Sequence, residues 1–262
     1  MALSTTVDEL LRHASSFRWQ VGSTPLSEPR LVVAVPAVYV LSMYSLAALL
    51  RGRTLPLGPL PALHNLVLCL WSAAMFAAAA YETLRRVANN GDASWLLCFP
   101  PSTRAEGRLF FVSYVYYVSK YYELLDTLLL VLKGRPLTTL HVLHHAIVIG
   151  MAYAWLDSVQ SLQVVGLLTN TGIHVIMYSY FLASSLGVKP GKLVKKLITS
   201  SQIVQFVFSL VCSVPFVYMH VHRRGGCLGF NAWAFNCTFN IILLALFADF
   251  HSRTYAKKAK AE

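Results

Sequence analysis

The sequence predicts an all-α integral membrane protein with seven transmembrane helices, and three observations carry that prediction. The chain has 262 residues, of which 56% are hydrophobic and only 13% charged, and its mean hydropathy is +0.56, far from soluble composition. The apolar residues fall into seven runs of roughly 20 residues, the helix length that crosses a hydrocarbon core. The charged residues and most prolines sit between those runs.

In chain order, residues 1–30 hold no secretory apolar core, because Asp8, Glu9, Arg12 and Arg18 interrupt the face made by Leu10, Leu11, Ala14 and Phe17. This segment is expected to be a short interfacial helix on the lumenal side. A single transmembrane domain follows over 31–250, and a basic cytosolic tail over 251–262. The first span is Leu31 to Leu50, closed by Arg51, Arg53 and three prolines; the second runs from Leu63 to Tyr81. A polar connection from Glu82 to Arg108 leads to the third span, Leu109 to Leu132. The fourth covers Leu137 to Leu156, the fifth Val159 to Leu186, the sixth Leu197 to Met219 and the seventh Phe230 to Phe250. The five cysteines have no CxxC spacing and no even number, so neither a zinc site nor a disulfide framework is expected.

Basic residues orient the chain. With the N terminus lumenal, 12 Lys and Arg lie on the cytosolic side and 9 on the other. The terminal Lys258-Ala-Lys260-Ala-Glu262 has the form of a cytosolic retrieval signal for the endoplasmic reticulum. Asn236-Cys-Thr238 matches a glycosylation sequon, but inside the seventh span it is unusable.

Polar residues within the spans are the informative ones, since each is costly at membrane depth and needs a partner or a wet cavity. His141, His144 and His145 fall within roughly 100° of arc on a helix. Lys120, Glu123, Asp126 and Thr127 lie within about 120° of arc on the third span, where each charge costs about 2.5–3.5 kcal/mol unless paired. Asn170, His174 and Tyr178 follow at one-turn intervals on the fifth, and Thr199, Gln202 and Gln205 at three-residue intervals on the sixth. At 1.5 Å of rise per residue these motifs all lie about 6–20 Å below the cytosolic helix ends. Four helices therefore bring polar groups to one layer, as expected of a buried site open to the cytosol. Taken singly, a membrane histidine is packing glue and a charged triplet a structural ion-pair network.

These residues resemble the ELO family of very-long-chain fatty acid elongases. Lys120-Tyr-Tyr-Glu123-Leu-Leu-Asp126-Thr127 matches KxxExxDT, and His141-Val-Leu-His144-His145 matches HxxHH. Asn170-Thr-Gly-Ile-His174-Val-Ile-Met177-Tyr178-Ser-Tyr180-Phe181 matches NxxxHxxMYxYY except for Phe181 in place of the last Tyr, and Thr199-Ser-Ser-Gln202-Ile-Val-Gln205 matches TxxQxxQ. The resemblance implies a barrel of helices 2–7 built from two three-helix units around a narrow substrate tunnel. It also implies condensation of a long acyl-CoA with malonyl-CoA to 3-ketoacyl-CoA, CO2 and CoA, in the endoplasmic reticulum membrane.

That reaction needs an acyl acceptor, a stabiliser for the enolate formed on decarboxylation, and a dry slot for an alkyl chain. His144 is the expected acceptor, with His145 and His141 orienting it or relaying protons and His174 polarising a carbonyl or serving malonyl-CoA. Lys120 and Asn170 are candidates for enolate stabilisation, while Glu123 and Asp126 fix tautomers and balance Lys120. Thr127, Met177, Tyr178, Tyr180, Gln202 and Gln205 are expected to line the substrate site. Lys133, Arg135, Lys189, Lys192, Lys195, Lys196 and Arg253 would hold CoA phosphates at the cytosolic rim.

No cofactor and no metal is expected, acyl-CoA and malonyl-CoA being substrates. Beyond these and membrane lipid, the expected partners are a second copy of the chain or other enzymes of the elongation cycle, and not nucleic acid. Two rival classes fit less of the chain. An iron desaturase or hydroxylase also uses HxxHH but needs further histidine boxes; a seven-helix receptor or transporter fits the span count, and a transporter could use the charged third span as a relay, but a retinal-type pigment needs a lysine in its last span, which is absent here.

Overall fold

The computed structural model describes the backbone of residues 2–256 and the side chains of 8–255. The retrieval motif and its terminal lysines, Lys257, Lys258 and Lys260, lie outside the described residues. The regular secondary structure of the described residues is helical, with one isolated β-bridge between Arg18 and Glu106. The long helices are α1 (Ala2–Ser16), α2 (Pro29–Leu50), α3 (Leu60–Asn90), α4 (Arg108–Tyr122), α5 (Leu124–Leu132), α6 (Thr139–Asp157), α7 (Gln163–Ser185), α8 (Lys192–His222) and α9 (Phe230–His251).

Six of these helices, α2, α3, α6, α7, α8 and α9, are long and apolar enough to cross a membrane. The expected third span departs from the prediction: it is two helices, 15 and 9 residues long, that meet at Glu123. The interruption falls at Glu123, which pairs with Lys120 one turn back, while Asp126 takes its partners from other helices.

Packing closes these helices in a ring. α3 packs on α4, α4 on α6, α6 on α9, α9 on α8, α8 on α7, and α7 returns along most of its length to α3. α2 stands outside, touching α5 and α6, and Tyr39 is its one buried side chain. The main aromatic core lies between α3, α4, α6 and α7, where Tyr116 stacks on Trp155 with centroids 5.1 Å apart. The expected apolar face of α1 is split: Ala14 and Phe17 are buried, Phe17 against Phe111 and Tyr114, while Leu10 and Leu11 stay exposed.

A disulfide corrects the reading of the cysteines. Cys98 and Cys227 are bonded across 129 residues, tying the loop before α4 to the loop before α9. Spacing gave no sign of this, because the two loops meet only when the ring closes. Around the bond the loops are laced by Leu228 N–H to Phe99 O, Ser161 N–H to Leu228 O, and Phe99 N–H to Ser161 Oγ at 2.9–3.1 Å. Gly229, at φ +71°, passes so close to Gln160 that a Cβ would sit 2.4 Å from its Cα, so only glycine fits. One end of the ring is thus a stapled plate made from the α6–α7 turn and these two loops.

Candidate active site

At the opposite end the helices part around a cavity of about 520 Å³. Of the residues expected at the site, Glu123, Asp126, His141, His144, His145, Asn170, His174, Met177, Tyr178, Tyr180, Gln202 and Gln205 line it, joined at the mouth by Lys133 and Lys195. Others do not reach it. Lys120 and Thr127 lie beneath its wall, and Arg135, Lys189, Lys192, Lys196 and Arg253 are outside the lining. Of the seven cations expected at the rim, two lysines reach the lining: Lys195 does so from α8, while Lys192 and Lys196 of the same helix, Arg253 beyond α9, and Arg135 and Lys189 in the turns do not.

The bend between α4 and α5 sets the wall chemistry. Lys120 Nζ donates to Glu123 Oε1 at 2.7 Å and lies 4.0 Å above the Tyr116 ring, fully enclosed. An ammonium so buried is held by its carboxylate and the aromatic face together. Glu123 Oε1 also lies 3.7 Å from His174 Nδ1, while Glu123 Oε2 has no partner among the described residues. Asp126 makes its direct contacts elsewhere than Lys120. Its Oδ1 meets His64 Nε2 at 2.8 Å, and its Oδ2 accepts from the Tyr178 hydroxyl at 2.7 Å.

The histidines divide into one that is held and two that are not. His141 Nε2 bonds Thr127 Oγ1 at 2.8 Å, and Thr127 bonds the Tyr39 hydroxyl at 2.7 Å, so α2 reaches into the site through its single buried residue. The α6 N-cap, Thr138, accepts the His141 backbone N–H and starts the helix that presents all three rings. His144 and His145 lie with ring centroids 5.3 Å apart, and the Nδ1 atom of each is buried without a partner. Phe239 of α9 lies parallel to the His144 ring at 6.4 Å. Asn170 Oδ1 accepts from the Tyr116 hydroxyl at 2.9 Å, which leaves its NH2 as the group free to donate.

Three partners escaped the sequence reading: His64, Tyr39 and Tyr116. His64 had a usable signal, a polar residue inside an apolar run. Tyr39 and Tyr116 had none, since an isolated tyrosine in a span reads as packing.

A second, smaller chamber of about 60 Å³ adjoins the cavity on the side of the stapled plate. His144, Asn170, Gln205 and Phe206 line both spaces, so His144 stands at their junction. Where a dry slot was expected, Gln160, Thr169, Ser209, Ser213, Asn236 and Asn240 contribute polar groups beside the apolar walls.

The family model of the GNS1/SUR4 (ELO) family matches residues 24–262, which takes in every helix of the ring and every residue of both spaces. The chain belongs to the ELO family. The ELO chain is 32% identical to fatty acid elongase sre1 of Dictyostelium discoideum, over 96% of its own length and 93% of the relative's. It is similar to fatty acid elongase 3-like of Arabidopsis thaliana at 30% identity, covering 92% and 88% respectively. It also matches very long chain fatty acid elongase 2 of Mus musculus at 32% identity over 73% of this chain and 66% of the mouse protein. Membership accounts for the order of the four polar motifs, and the ring of helices explains why they must be read together.

Proposed function

We propose that this protein condenses a long-chain acyl-CoA with malonyl-CoA, giving 3-ketoacyl-CoA, CO2 and free CoA, through an acyl group carried on His144. The observation that carries this reading is the position of His144 at the junction of the open cavity and the narrow chamber, with no hydrogen bond restraining its ring. A thioester carbonyl at that junction can place its CoA arm in the cavity and its alkyl chain in the chamber.

Because Nδ1 is the buried nitrogen, Nε2 of neutral His144 attacks the thioester carbon. CoA leaves as a thiolate and takes the proton that the imidazole gives up, with His145 near enough to relay it. Malonyl-CoA then loses CO2, and the resulting carbanion attacks the acyl carbon, expelling the imidazole nitrogen, which takes up one proton from solvent. Asn170, its carbonyl oxygen held by Tyr116, offers N–H groups to the enolate oxygen. Lys120 is sealed from the cavity, so its part is to hold Glu123, which in turn faces His174. Tyr178 and His64 keep Asp126 paired on both oxygens. The site needs no metal in this scheme, and a chelator is expected to leave the rate unchanged.

The same reading makes the ring a barrel of two three-helix units, α3–α4/α5–α6 and α7–α8–α9, around a tunnel, with seven crossings when the broken pair counts as one. It places the stapled plate in the lumen of the endoplasmic reticulum, since disulfides persist on the oxidising side. The N terminus is then lumenal and the C terminus cytosolic. Terminal tags in sealed microsomes check this: an N-terminal tag protected from added protease supports it, and a protected C-terminal tag overturns it.

The half-reaction tests the mechanism. With acyl-CoA alone, purified protein should release about one CoA per active site and gain the mass of the acyl group. His144→Ala should lose both the adduct and the CoA burst. CoA release only after malonyl-CoA is added, or an adduct that survives His144→Ala, would overturn the assignment.

A further inference from the structure

The narrow chamber is lined by too many polar groups for a channel that holds only hydrocarbon. Most of them satisfy one another: Asn240 Nδ2 donates to Ser209 Oγ at 2.9 Å, and Trp233 Nε1 donates to Ser213 Oγ at 3.0 Å. One pair does not. Gln160, from the α6–α7 turn, and Asn236, from α9, are 4% and 6% exposed, and Asn236 Nδ2 donates to Gln160 Oε1. That bond leaves Asn236 Oδ1 buried without a partner, and Gln160 Nε2 makes no hydrogen bond among the described residues. Both residues line the chamber. Their amides therefore offer it one free acceptor and one free donor.

The pair is held firmly. Gln160 N–H bonds Trp155 O at 3.0 Å, its own carbonyl accepts from Gln163 Nε2 at 3.1 Å, and Gly229 presses against its backbone. The Cys98–Cys227 staple lies in the same plate. Between His144 and Trp155 the α6 backbone rises about 17 Å, so the amides face the end of an acyl chain rather than its thioester. No Asp, Glu, Lys or Arg lines this chamber, which disfavours a charged ligand. On an acyl chain, the simplest uncharged group that both donates and accepts a hydrogen bond is a hydroxyl.

We infer that Gln160 and Asn236 form a subsite for a hydroxyl at the methyl end of the acyl chain, so that ω-hydroxyacyl thioesters are substrates of this protein. The inference rests on the elongase reading above and adds to it the class of chain. A plain methyl end leaves the amide oxygen buried and unpaired, and a ω-hydroxyl satisfies it. Sites built to bond a hydroxyl discriminate strongly against the analogue that lacks one.

The test is elongation of myristoyl-, palmitoyl- and stearoyl-CoA and their ω-hydroxy analogues by the full-length protein, in competition, with malonyl-CoA. At the length that reaches the pair, the hydroxy chain should be favoured about tenfold, the value of one to two satisfied hydrogen bonds. Asn236→Leu should remove that preference. The double variant Gln160→Leu/Asn236→Leu, which replaces both partners by apolar groups of similar size, should remove it too and keeps the test open where the single variant misfolds. Parent chains favoured at every length, or a preference that survives both variants, would overturn the subsite and leave the elongase reading intact. Failure to elongate any acyl-CoA would overturn both.

Discussion

The two ends of the helical ring use polar residues in opposite ways. At the open end, carboxylates, histidines and an ammonium are paired across helices, so that His144 and His145 alone keep buried ring nitrogens without partners. Toward the stapled end the polar groups that line the chamber are neutral amides, hydroxyls and an indole, and the cross-link beside them is covalent. The difference follows from what each end must tolerate. On the proposed function, the open end holds charged groups around the reacting thioester, and the stapled end bounds the space for the alkyl chain beside a covalent link.

If charge pairing organises the open end, the largest effect on stability should come from splitting its buried pair. Glu123→Ala leaves the Lys120 ammonium enclosed without a counter-charge and should cost about 3–5 kcal/mol. Thermal unfolding in detergent checks this, together with the double variant Glu123→Gln/Lys120→Met, which should recover most of the loss. If the double variant is as unstable as the single one, the network matters through packing rather than charge.

The stapled end should respond to a different change. Cys98→Ser opens a link across 129 residues, and long closed loops contribute about 3–5 kcal/mol through the unfolded chain. The melting temperature should fall, while the half-reaction at His144, measured well below it, should keep its one-to-one CoA release. Loss of the acyl adduct at low temperature would show that the plate shapes the catalytic junction directly.

The smallest expected effect lies at the mouth. Lys195→Ala should raise KM for CoA substrates a few-fold, and more at low salt than at high, because a partly exposed ammonium–phosphate contact is screened by ions. Lys192→Ala, one turn away and outside the lining, should change KM little. Equal effects would mean that the basic loop attracts CoA as a diffuse field rather than through one residue.

Membrane class was legible because a hydrocarbon core demands about 20 apolar residues per helix, and α2, α6 and α9 begin and end within about two residues of the expected runs, whereas α3 continues through the expected polar connection to Asn90 and α8 begins at Lys192, ahead of the expected Leu197. The motif residues were legible for a related reason: a histidine or carboxylate at membrane depth is too costly to be incidental. Helical spacing also brought Asn170 and His174 to one wall. Pairing was not legible. Asp126 is three residues from Glu123 and six from Lys120, yet its partners are His64 and Tyr178, more than fifty residues away on either side. The break at Glu123, the reach of Tyr39 to Thr127, the Cys98–Cys227 bond and the unmatched Asn236 oxygen share one cause. Sequence periodicity states which residues share a face of one helix, whereas a hydrogen bond or disulfide across the ring depends on where every other helix has been packed.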